Sequence, residues 1–212
     1  MTHNVNTGIY FTKQPEYREE AKTFVVTGVP RSGTTGVMRL LEALGLYIDY
    51  DNPRNMESNK YSAPFVDLVC KPEFAARLKD NSSRWGDWAF KAHDLSHQTV
   101  FFDRAESYFA QVVNPVIIIP TRDPMLQALR QQKDTPKLRF EPLYWDALTK
   151  WQKILGFLAT TGLPVCLVSF EKLLVNPYTL ELLLDWMYGE GNYEHPGFEW
   201  LRVDDPRYID TE

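Results

Sequence analysis

An apolar, β-branched run at residues 24–29 passes without a break into Gly28-Val-Pro-Arg-Ser-Gly33-Thr-Thr35, and a helical pattern follows at once. Few folds accommodate that succession. The two glycines permit positive φ and close backbone approach, so the loop can turn its N–H groups into a concave nest. The positive end of the following helix points into the same hollow. Thr34 and Thr35 add hydroxyl donors for phosphate oxygens. A strand, loop and helix joined in this way read as a grip for the phosphate end of a nucleotide.

The rest of the chain fits an α/β frame around that unit. Residues 88–92, 115–120 and 165–170 are further short apolar runs of the kind buried in a parallel sheet, and 46–50 is a weaker candidate. Helical patterns lie between them at 35–44, 65–79, 99–112, 125–132, 143–159 and 178–188. Val37, Leu40, Leu41 and Leu44 share a face of the first, and Gly45 stops it. Alternation of strand and helix predicts a doubly wound, P-loop-type parallel sheet of about five strands with helices on both faces. Residues 1–212 read as a single domain, with 1–22 as an N-terminal extension and 189–212 as an irregular C-terminal tail. Two polar stretches interrupt the rhythm, 51–64 and 133–142. In an open α/β sheet such loops often lie beside the strand C-termini and cover the ligand.

A net charge of -5 argues against a nucleic acid or an anionic membrane as the main partner. A small phosphorylated ligand needs only a local cluster of cations. Cys70 and Cys166 sit far apart among apolar neighbours, which suits two buried thiols in a reducing compartment; a disulfide is the alternative. Neither belongs to a Cys-x-x-Cys pair, so no metal spacing appears. Residues 1–22 hold no apolar run of signal-peptide length, and Val116-Ile-Ile-Ile119 is far too short to span a bilayer. The expected location is cytoplasmic.

The loop departs from the nucleoside-triphosphatase pattern at one position. Thr34 stands where a lysine normally reaches the β- and γ-phosphates, and the loop's one cation is Arg31. Val-Pro30-Arg31-Ser32-Gly33-Thr34-Thr35 resembles the 5′-phosphosulfate loop of sulfotransferases that use 3′-phosphoadenosine-5′-phosphosulfate (PAPS), in the bacterial form with arginine. Three further landmarks follow in that family's order. Phe90-Lys91-Ala-His93 resembles its Lys-x-His strand. Ile119-Pro-Thr-Arg122-Asp-Pro124 resembles its 3′-phosphate motif. Val168-Ser-Phe-Glu171-Lys-Leu-Leu-Val-Asn176-Pro177 resembles its late strand–helix element. Together they span residues 23–188.

The resemblance implies a sulfotransferase with PAPS as donor, adenosine 3′,5′-bisphosphate (PAP) as product, and no metal requirement. It implies that Pro30, Arg31, Ser32, Gly33, Thr34 and Thr35 line the 5′ side and that Arg122 holds the 3′-phosphate. It makes His93 the base for the acceptor hydroxyl, with Lys91 and Arg31 neutralising charge on the transferring group and the leaving oxygen. A histidine, with an ordinary pKa of about 6.5, suits that proton transfer near neutral pH. Asp94 is placed to orient the ring. His97 competes with His93, and Asp49, Asp51 and Asp87 are acidic alternatives, since some branches of the family use a carboxylate base.

Three features depart from the family pattern. Arg130 stands where a serine usually completes the 3′-phosphate site, with Ser32 and Gln131 as substitutes. Gly36 stands where a tryptophan often stacks on adenine. After Trp186 the late basic segment is reduced to Arg202 and Arg207. Glu171 is expected to tie down its own loop. The rival readings are a small-molecule kinase on the same loop and a non-catalytic nucleotide-binding relative. The acceptor is a small molecule or a glycan, and a homo-oligomer fits the sequence as well as a monomer does.

Overall fold

The computed structural model describes residues 7–16, 20–58, 61, 72–92, 108–191, 193 and 196. Six strands form one sheet: β1 (Ile9–Phe11), β2 (Thr23–Val26), β3 (Tyr47–Ile48), β4 (Trp88–Lys91), β5 (Pro115–Thr121) and β6 (Val165–Ser169). Their order is β1-β6-β5-β2-β4-β3, and every neighbouring pair is parallel except β1 with β6. The helices described are α1 (Thr34–Ala43), α2 (Pro72–Trp85), α3 (Pro124–Asp134), α4 (Phe140–Thr160), α5 (Phe170–Val175) and α6 (Pro177–Tyr188).

Two features differ from the sequence-based expectation of about five parallel strands. The polar N-terminal stretch supplies a strand, β1, whose residues pair antiparallel with β6 from Ile9 opposite Val168 to Phe11 opposite Cys166. The sheet is therefore mixed, with six strands. Three residues with Tyr10 61% exposed give no readable alternation, so only pairing with β6 defines that strand. The second difference is at the end of β6. The apolar run 165–170 breaks at Ser169, whose hydroxyl accepts from the Lys172 N–H and starts α5, so Phe170 is the first helical residue.

Helices cover both faces, and strand alternation assigns each face its residues. Val25, Trp88, Phe90, Ile117, Ile119 and Val165 face α2 and α4 through Phe74, Leu78, Ala147, Ile154 and Phe157. Phe24, Val26, Ala89, Val116, Ile118 and Cys166 face α1, α5 and α6 through Val37, Leu40, Leu41, Leu173, Leu180 and Leu184. Cys166 is a free thiol, and burial pushes its pKa up, out of the reactive range. Cys70 lies outside the described residues.

The central strand β2 is where the winding reverses. From β2 the chain crosses through α1 to β3 at one edge and returns through α2 to β4; β5 then lies on the other side of β2. At such a switch point the connections leave in opposite directions and open a crevice at the strand C-termini. The glycine loop leaves β2 there. Among the described residues no helix is long and apolar enough to cross a membrane.

Candidate functional site

The 28–35 loop is held by the strands on either side of it. The Thr27 N–H donates to Ile118 O on β5 at 3.1 Å, and the Ala92 N–H donates to Val26 O at 3.0 Å. Inside the loop, the Ser32 N–H donates to Val29 O at 3.1 Å. Gly28 has φ 154 and Gly33 has φ 104, and Arg31, which is not a glycine, sits at φ 68. A left-handed arginine costs on the order of 1 kcal/mol. The tight loop enforces that conformation and turns the Arg31 side chain outward.

The helix that follows begins at Gly33 without a side-chain cap. Of the other helices, α3, α5 and α6 are capped by Asp123, Ser169 and Asn176, whereas α4 starts after Arg139 without a side-chain cap, as α1 does after Gly33. An uncapped first turn leaves its N–H groups for an outside acceptor. The Ser32 hydroxyl adjoins it and is fully buried with no hydrogen-bond partner, as is the Thr27 hydroxyl below the loop. Thr34 and Pro30 are half-buried at the rim.

Three cations come to this loop from three adjacent strand ends. Lys91 stands opposite Val26 in the β2–β4 register, and alternation puts it on the face that carries α1. Its ammonium is buried and donates to Thr35 Oγ1 at 3.2 Å, Asn55 O at 3.1 Å and Glu57 Oε1 at 2.7 Å. Burial holds the Lys91 pKa below the usual lysine range; Glu57 pulls it back up, and Arg31 pushes it further down. Arg31, with its side chain 41% exposed, pairs through Nη2 with Asp134 Oδ2 at 2.7 Å. Arg122, just past β5, brings Nε to 2.9 Å from Glu171 Oε1, although the N–H does not point along that line. Glu171 thus holds Arg122 as well as lying in its own turn.

Arg130 and Asp134 are one turn apart on α3 and share a face. Asp134 reaches Arg31 at one end of α3, and Gln127 at the other donates to Arg122 O at 3.2 Å and accepts from Trp151 Nε1. This face of α3 bridges the loop and the end of β5, and half-buried Arg130 lies on it. Gln131 is also half-buried on α3, whereas Ser32 is sealed under its own loop.

Two of the three acidic alternatives are engaged close to the site, and the third is at the wrong end of the sheet. Asp49 is buried and accepts from the Tyr61 hydroxyl and from Asn81 Nδ2. Burial and that Asp49 contact push the Tyr61 pKa well above its ordinary value. Asp51 accepts from the Ser58 hydroxyl at 2.8 Å. Asp87 precedes β4, at the end of the sheet opposite the glycine loop, where it accepts from the Lys22 N–H at 2.7 Å. Asp87 is therefore not part of the site, because the length of β4 separates it from Lys91. His93, Asp94, His97, Arg202 and Arg207 lie outside the described residues.

Sequence reasoning missed four contributors. Glu57, the Asn55 carbonyl and Asp134 all arise in the two polar stretches read as ligand-covering loops, but nothing in composition says which residue meets which cation. The fourth is Phe170. A Cβ added at Gly36 would come within 2.5 Å of Phe170 Cε2, so the ring fills the volume that the expected tryptophan would need. Gly33 meets the same ring. The Gly36 departure therefore has a packing cause.

The chain matches no protein-family model and no curated protein. Fold and geometry define it as an α/β protein with a glycine loop flanked by three cations at the switch point of its sheet.

Proposed function

We propose that the chain is a sulfotransferase that moves a sulfuryl group from PAPS to a hydroxyl, or alternatively an amine, on a small-molecule or glycan acceptor. The observation that carries this reading is the ammonium of Lys91, held at Thr35 Oγ1 at 3.2 Å although the loop itself has threonine at the lysine position. The charge comes from the neighbouring strand, on the same segment as His93. The uncapped α1 terminus and the unpartnered Ser32 hydroxyl fit a bound anion.

PAPS supplies the sulfuryl group as a mixed anhydride with its 5′-phosphate. Arg31, Thr34, Thr35 and the loop N–H groups would hold the 5′ side, and Arg122 with Arg130 the 3′-phosphate. As the acceptor oxygen bonds to sulfur, His93 would take its proton. The S–O bond to the phosphate breaks, and the electron pair stays on the leaving oxygen. Arg31 and Lys91 stabilise that growing charge. Arginine does so with a planar fork and lysine with a point charge.

Binding and turnover test separate parts of this reading. PAP is expected to stabilise the protein against heat more than AMP does, without metal, and labelled donor should pass its sulfuryl group to members of an acceptor panel. His93→Ala is expected to lower turnover by roughly 10²–10⁴-fold with PAP affinity unchanged. Full activity in that variant moves the base elsewhere, to Asp49, Asp51 or His97. One observation favours a second reading: Lys91 beside Thr35 also restores the cation that a kinase loop needs. A small-molecule kinase would require Mg²⁺ and ATP for turnover, which the same assays distinguish. Tight PAP binding with no transfer would mark a non-catalytic relative.

A further inference from the structure

Each cation at the glycine loop is matched by one carboxylate, and the three carboxylates come from three separate elements. Glu57 of the 51–58 loop takes Lys91 at 2.7 Å, Asp134 at the end of α3 takes Arg31 at 2.7 Å, and Glu171 in the first turn of α5 takes Arg122 at 2.9 Å. Asp134 is badly placed for its own helix, since a negative charge at a helix C-terminus opposes the dipole. Its position is accounted for by Arg31. The carboxylates also have somewhere to go: the Glu57, Asp134 and Glu171 side chains are 22%, 26% and 42% exposed, so each can be rehydrated when released.

We infer that Glu57, Asp134 and Glu171 are internal counter-anions that hold the three phosphate-binding cations until ligand phosphates replace them, and so set which anions the site accepts. This deepens the nucleotide reading above and rests on it. An entering anion gains only the difference between its own contacts and those of the carboxylate it displaces. A lone oxyanion that exchanges one pair gains little. A nucleotide carrying phosphate at both ends exchanges pairs on both sides of β2 in one event. The carboxylates thus discriminate against small anions by competition, in addition to what the cations attract.

The test is calorimetric titration of wild type, Asp134→Asn, Glu171→Gln and Glu57→Gln with AMP and with PAP, beside Arg31→Ala and Arg122→Ala. Each amide keeps the side-chain shape and removes the charge. Asp134→Asn is expected to tighten both ligands by roughly three- to fivefold, the scale of a partly exposed ion pair. Glu171→Gln should tighten PAP by a similar factor and leave AMP unchanged, because its partner faces the 3′ end. Glu57→Gln should tighten both by roughly tenfold, its lysine being the most buried of the three cations. If that variant folds poorly, the two helix-end variants still decide the matter. Amide variants that bind no tighter, while both arginine variants lose affinity, overturn the counter-anion inference and leave the site reading standing. Arginine variants that bind like wild type overturn the site reading, and this inference with it.

Discussion

Lys91 and Arg122 stand at the ends of the two strands flanking β2, and they are held in opposite ways. The ammonium of Lys91 is buried with an acceptor for each of its three protons: Thr35 Oγ1, Asn55 O and Glu57 Oε1. Arg122 is 30% exposed and has one carboxylate beside it, off the line of its N–H. The difference follows from what each environment permits. A charge out of water must be satisfied by protein before any ligand arrives, whereas a charge at the rim can wait in solvent. The pair on the β4 side is therefore anchored more firmly in the fold and is the costlier of the two for a ligand to exchange, while the pair on the β5 side exchanges more cheaply. Substitutions on the first side should move stability and function together, and those on the second function alone.

The largest effect is expected at Lys91. Lys91→Ala strands Glu57 and should cost on the order of 3 kcal/mol in a denaturant titration, with transfer lost as well. Its pKa is lowered, and only the ammonium form attracts an anion. Bisphosphate affinity should therefore fall as pH rises through a value below that of a free lysine, and Lys91→Arg should push that limb out of range. An affinity flat to the pH of ordinary lysine titration breaks the comparison at its stronger end.

Next comes the packing beneath the open side. Gly36→Trp drives a side chain into Phe170 and should cost about 2 kcal/mol or more, read as a drop in melting temperature. Phe170→Ala in the same chain should recover part of it. A well-folded Gly36→Trp single variant would mean that the ring moves aside, and the β5 side would then be loose in its core as well as its charges.

Arg122→Ala should leave the melting temperature of the free protein nearly unchanged while shrinking the preference for PAP over AMP by roughly 1.5–3 kcal/mol for each charge-assisted bond lost. Loss of stability on the scale of Lys91→Ala would erase the contrast between the two sides. The smallest effect belongs to Arg130→Ala, expected to weaken PAP binding by about 1 kcal/mol or less and to leave AMP alone. Equal binding of both ligands by wild type and variant would make Arg130 a solvated helix residue.

How far the sequence could be read tracks how local each cause is. Alternation between Trp88, Ala89, Phe90 and Lys91 already puts Lys91 on the face away from Trp88, and that is the face α1 covers. The glycines at 28 and 33 announce the turn and the helix start, and Arg122 after an aliphatic run announces a strand end. The β1 strand was not legible, because three residues carry no period and their pairing partner lies more than a hundred residues away. Asp87 is a reasonable acid by composition, yet chain direction within the parallel sheet sends it to the opposite end of the strands.

What the sequence determined alone is the α/β alternation, the glycine loop between a strand and a helix, Thr34 within that loop and the cations available near it. These follow from periods of two and of about 3.6 residues and from backbone freedom at glycine, all properties of short segments. The tertiary structure decided which cation meets which carboxylate, which ring fills the space above Gly36, and which acids share the crevice with the loop. Those depend on where loops and helices far apart in the chain come to rest against one another. Side-chain contact across such distances is set by packing of the whole sheet, which no local pattern encodes.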